Sequence, residues 1–183
     1  LDAVLERLAA AGITGVHDWT SSELVARALG ERAASGTLPV RVRAWTPARD
    51  DALAGLLRAE RSRPDLLRHG GVFVSLDGAP ATQQKGIRLA FDAYGSLAVK
   101  AALDAVEGTS PLPWAMRVRI EHADVVEQTD AGRPKALNVV LSVQPSRAAA
   151  VARGALDRAL VPALELWTLA SHVRRGVVVA LGS

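Results

Sequence analysis

Residues 117–123 read Arg117-Val118-Arg119-Ile120-Glu121-His122-Ala123, a short run with alternating β-branched residues that ends in a carboxylate and an imidazole. Arg117 to Glu121 has the length and composition of a buried strand, and His122 stands just past its C-terminal end. Before it, Leu97 to Val106 carries its apolar residues on one helical stripe. After it, Asn138 to Val143 reads as another strand. A helix between short buried strands is the unit of a parallel sheet, because a parallel return needs a long crossover.

Working outward, the alternation extends along nearly the whole chain. Leu1, Val4, Leu5 and Leu8 fall at helical spacing and Gly12 stops that helix. Ile13 to His17 is a strand, and Ser21 or Ser22 caps a helix running to Ser35-Gly36. Pro39 to Trp45 is a second strand, Asp50 opens a helix, and Pro64 ends the segment after it. Val72 to Leu76 and Ile87 to Phe91 are the third and fourth strands, and Val177 to Leu181 is the seventh. A helical stretch broken at Pro162 precedes the seventh, and its last part, Leu164 to Val173, ends in Arg174-Arg175-Gly176. Only ten residues separate Leu76 from Ile87, too few for a full crossover helix. The expected fold is therefore α/β: seven parallel strands of a doubly wound sheet, or of an eight-stranded barrel that lacks one strand and has one crossover shortened. No shift in composition divides residues 1–183, so a single domain is expected.

The bulk numbers narrow the partners. The chain is 49% hydrophobic but only 4% aromatic, so its core must be built from Ala, Val and Leu. The net charge of +3 rests almost wholly on scattered Arg, with Lys only at 85, 100 and 135, which argues against a nucleic-acid surface. With no Cys there is no disulfide and no thiolate metal site, and a cytoplasmic location fits. No apolar run is long enough to span a bilayer. Asp2, Glu6 and Arg7 interrupt the first helix, which is no signal peptide. The chain starts inside a helix without an initiator Met, which points to missing upstream sequence.

Polar residues gather at the C-terminal strand ends: His17 and Asp18, Trp45 and Thr46, Asp77, Asp92, His122, Gln144, and Gly182-Ser183. In barrels of alternating strand and helix this rim carries the chemistry. His and Asp there suit a divalent metal bound through nitrogen and oxygen. Each residue also has a plainer reading. Asp18 can cap the helix beginning near Thr20-Ser21-Ser22, Asp77-Gly78 is a turn signal, and His17 can be a hydrogen-bonded histidine under a loop. Trp19, Trp45, Trp114 and Trp167 suit packing in the core or at the rim.

Six segments, in order, resemble one family. Ala11-Gly12-Ile13-Thr14-Gly15-Val16-His17-Asp18 is similar to a "GIT-x-VHD" strand. Gly71-Val72-Phe73-Val74-Ser75-Leu76-Asp77-Gly78 is similar to "G-V-K-x-x-x-D-G". Leu89 to Val99 is similar to "V-x-V-H-A-I-G-D-x-A-V", and Arg119-Ile120-Glu121-His122-Ala123 matches "R-I-E-H-A" throughout. Ser142-Val143-Gln144-Pro145-Ser146-Arg147 is similar to "S-x-Q-P-x-H", and Val179 to Ser183 to "A-L-G-S-D" without its Asp. This order resembles the amidohydrolase superfamily, in its amidohydrolase 3 or YtcJ-like branch.

The resemblance implies a TIM-type (β/α)8 barrel that hydrolyses C–N bonds, amide or N-formyl, with a divalent metal, zinc foremost. The family's ligands are a first-strand H-x-H, a Lys that is often carboxylated, two later His and a final Asp that serves as base. In this chain the H-x-H is absent and Phe73 stands at the Lys position. Asp92 replaces the first later His, Ser96 the Asp of "GD", and Arg147 a His near the pocket. The final Asp would follow Ser183. His122 alone is kept in kind. The metal candidates are therefore His122 and Asp92, with Asp77 and Gln144 as substrate-binding candidates. The expected partner is a small-molecule substrate, and unpaired barrel edges would favour a homo-oligomer. With so few ligands kept, the expectation is a hydrolase by ancestry, impaired or inactive as the chain stands. The alternatives are a non-catalytic barrel relative serving binding or assembly, and a gene fragment.

Overall fold

A computed structural model describes residues 1–19, 22–47, 63–75, 89–108, 117–147 and 169–182. Seven strands follow one another in chain order, β1 to β7, and every described pairing is parallel. Helices come between them, which is the α/β partial-barrel class. The chain forms two compact units, Leu1–Phe73 and Val74–Ser183.

In the first unit, helix α1 (Asp2–Ala10) leads into β1 (Gly15–Asp18), helix α2 (Glu23–Ser35), β2 (Arg41–Pro47) and the start of β3 (Leu67–Ser75). Ser22 caps α2, its Oγ accepting from the Val25 N–H at 3.4 Å. Gly36 ends that helix at φ 73, a left-handed conformation that glycine adopts without steric cost. Strand periodicity then sorts the side chains. Val42, Ala44 and Leu67 join Leu5, Ala26, Leu29 and Ala33 of the two helices in one buried cluster, and Val16 packs at its margin. His17, Arg41, Arg43 and Arg68 alternate with these residues and belong to the sheet face turned away from α1 and α2.

The third strand begins at Leu67, ahead of the expected Val72. Its opening, Leu67-Arg68-His69-Gly70-Gly71, hides the strand behind charge and glycine. Gly70 is required by packing: the Trp45 indole lies where a Cβ would stand. The register between β2 and β3 also shifts at Ala44/Trp45, a bulge that lets the large ring fit.

In the second unit, β4 (Leu89–Asp92) is followed by helix α3 (Gly95–Glu107) and β5 (Arg119–Glu121). Then come the short helix α4 (Arg133–Ala136), β6 (Val140–Val143), helix α5 (Leu169–Arg174) and β7 (Val178–Leu181). On α3 the buried stripe is Val99, Ala102, Leu103 and Val106, while Leu97 is exposed. Phe91, Ile120 and Leu141 contribute fully buried side chains from three successive strands. Helix α4, absent from the sequence expectation, starts with Pro at its first turn, where the missing N–H costs nothing. Arg133 fastens it to its surroundings through Asp130 (2.9 Å), Asp104 (2.7 Å) and Glu107 (2.5 Å). Burial opposes the charge on Arg133, but these three carboxylates outweigh it and raise the guanidinium pKa. The short Leu76-to-Ile87 connection, the Asp50 helix, the Pro162 break, Trp114 and Trp167 lie outside the described residues.

Candidate functional site

The strand ends of β4 and β5 bring the two metal candidates together. Their register pairs Asp92 with Glu121, so His122 follows one residue beyond Asp92's neighbour. The ladder continues past the strands: Ala93 N–H donates to the Glu121 carbonyl at 3.1 Å, and Ala123 N–H to the Ser142 carbonyl at 3.1 Å. Between those bonds His122 adopts φ 57, a left-handed conformation that a non-glycine residue seldom takes unless its surroundings impose it. The Asp124 N–H closes back on the His122 carbonyl at 2.7 Å. This turn aims the imidazole at Asp92.

His122 Nδ1 and Asp92 Oδ1 are 2.5 Å apart. An ionised carboxylate only accepts, so Nδ1 carries the proton and donates. On the other side of the ring, Nε2 and the Tyr94 hydroxyl are 3.1 Å apart. The Tyr94 and His122 rings also stack, with centroids 4.2 Å apart. The Arg147 guanidinium covers the Tyr94 ring at 4.7 Å and reaches Asp124 Oδ2 at 3.5 Å. Asp124 Oδ1 accepts the Gln144 backbone N–H at 2.8 Å. Asp92, His122 and Tyr94 thus form one hydrogen-bonded chain, held by a second layer of Asp124, Arg147 and the Gln144 backbone.

The donor set of the described residues alone does not make a catalytic zinc site. Such a site uses three protein ligands, and among the described residues no three His, Cys, Asp or Glu side chains converge. Two donors on one tetrahedral zinc at its usual bond lengths stand about 3.3 Å apart, wider than the 2.5 Å between Asp92 and His122. Both ring nitrogens of His122 are engaged, by Asp92 and Tyr94. What the arrangement can do is orient an imidazole and relay a proton toward a phenol at the surface.

Of the two substrate-binding candidates, Gln144 lies beside this cluster with its backbone N–H committed to Asp124. Asp77 is outside the described residues. Tyr94 and Asp124 were not singled out by sequence reasoning. The available signal was their position, each two residues past a rim residue, Asp92 and His122. In the first unit, His17 accepts from the Trp45 Nε1–H at 3.1 Å, and Trp19 stacks on Trp45 with centroids 4.6 Å apart. Phe73 meets Trp19 edge-on at 6.3 Å, so Phe73 belongs to an aromatic cluster.

No protein-family model and no curated protein matches the chain. Solved structures do share its fold. An uncharacterised metal-dependent hydrolase of Pyrococcus furiosus superposes with a TM-score of 0.63 at 24% identity, over 81% of this chain and 38% of that one. A second, from Pyrococcus horikoshii OT3, gives 0.70 at 23% identity, over 97% and 42%. A Xaa-Pro dipeptidase with methionine bound in its active site gives 0.60 at 18% identity, over 94% and 55%. This chain therefore spans about two fifths of the length of the two Pyrococcus hydrolases. Among the described residues no helix is long and apolar enough to cross a membrane.

Proposed function

We propose that the chain derives from a metal-dependent amidohydrolase of the amidohydrolase 3 or YtcJ-like branch, and that its own residues no longer support efficient C–N hydrolysis. The observation that carries this reading is the His122–Asp92 pair. It stands at the C-terminal ends of neighbouring parallel strands, where the lineage does its chemistry, yet its members bond each other. The motif order around Ile120-Glu121-His122 and the presence of metal-dependent hydrolases among the fold neighbours support the ancestry. Phe73 at the Lys position and Arg147 near the pocket support the loss.

The direct test is metal content and turnover together. The purified chain should carry far less than one equivalent of zinc or manganese, and N-formyl and N-acetyl amino acids should be hydrolysed no faster with added metal than without. Stoichiometric metal with turnover that disappears in His122→Ala would refute the impairment. A second reading, a barrel relative that binds rather than hydrolyses, is favoured by the mutual engagement of Asp92, His122 and Tyr94. It expects a small molecule that shifts the Tyr94 and His122 signals without being consumed.

A further inference from the structure

The first unit holds a groove of about 630 Å³, a size that suits a small molecule. Its lining includes Gly15, His17, Arg41, Arg43 and Arg68. We propose that this groove binds a small, multiply charged oxyanion, a phosphate ester or a polycarboxylate, through Arg41, Arg43 and Arg68.

The register builds the site. His17, Arg43 and Arg68 are partners in one row across β1, β2 and β3, and Gly15 is the partner of Arg41 one step earlier on the same face. Arg43 and Arg68 stand as register partners on adjacent strands, so two guanidinium side chains start from one point of the groove. Arg41 is held in place by Thr14, its Nε donating to the Thr14 carbonyl at 3.3 Å and its Nη2 to Oγ1 at 3.2 Å. Arg68 Nε donates to the Pro64 carbonyl at 2.7 Å. A guanidinium has five N–H donors in a planar fork that matches two oxyanion oxygens. The bonds just named use two donors of Arg41 and one of Arg68. His17 lines the groove beside them. An indole N–H can only donate, so His17 Nδ1 accepts from Trp45 and the ring proton sits on Nε2. The carboxylate in the lining, Asp65, is held by Arg63 at 2.9 and 2.8 Å, and this pairing lowers its pKa to about 2.

The test uses calorimetric titration of the chain with inorganic pyrophosphate and, separately, with citrate. Saturable one-to-one binding of either supports the site, and the pair tells phosphate from carboxylate preference. Arg41→Gln and Arg68→Gln should each bind at least about tenfold more weakly. Arg27→Gln on the exposed face of α2 should bind like the parent. The unmodified chain gives a second readout that needs no variant: the ligand should protect Arg41, Arg43 and Arg68 from phenylglyoxal, read by mass spectrometry. No saturable binding below about 10 mM of either anion would overturn the proposal. So would an equal loss in Arg27→Gln, or protection spread evenly over all arginines, because both would mean diffuse charge attraction.

Discussion

His122 is the side chain on which local backbone, hydrogen bonding and history meet. Its left-handed φ is sustained by the ladder bonds of Ala93 and Ala123, while Asp92 fixes the ring. Asp92→Asn replaces a charged acceptor by a neutral one in a partly buried pair, so unfolding in urea should show a loss of about 1–2 kcal/mol. Tyr94→Phe removes the partner of Nε2 but keeps the stacked ring. It should cost less stability and make His122 react faster with diethyl pyrocarbonate. His172 behaves differently. It is fully buried on α5, and among the described residues neither ring nitrogen has a hydrogen-bond partner. Burial, aided by the nearby Arg175 charge, lowers its pKa below the usual 6.5. The unfolded chain then binds a proton near pH 6.5 that the native chain refuses, so stability declines as pH falls below that value and is fully present above it. Denaturation midpoints compared at pH 7.5 and 5.5 should differ more in the parent than in His172→Leu.

At the scale of elements, capping and close packing decide what a substitution costs. Ser22→Ala removes the acceptor for the Val25 N–H and should destabilise by about 1 kcal/mol. Gly70→Ala drives a methyl into the Trp45 indole and should cost about 1–3 kcal/mol, with a change in tryptophan fluorescence. The same features explain what could be read in advance. β1, β2, β5, β6 and β7 announce themselves as short apolar runs between breakers, and their boundaries move by only a residue or two. The start of β3 was hidden because its glycines answer to a tryptophan on another strand, which no local pattern encodes. α4 was hidden because a single turn has no periodicity to detect. The Asp92–His122 approach was legible once strand order was granted, since both end neighbouring parallel strands. The stacking of Tyr94 and Arg147 was not, because it depends on loop geometry beyond β4 and β6.

For the molecule as a whole, parallel strand order gathers side chains at the strand ends, and the residues that stand there, not the fold, decide the chemistry. Parallel order holds in every described pairing, while among the described residues no three metal-ligating side chains converge. The claim that matters most is that His122 is committed to Asp92 and Tyr94 rather than offered to a metal. It is tested by titrating the chain with zinc while following the side-chain nitrogen resonances of His122. The account predicts an Nδ1-protonated ring whose signals stay in place through one equivalent of zinc. A stoichiometric shift of Nδ1 or Nε2 on zinc addition, lost in Asp92→Asn, would contradict it.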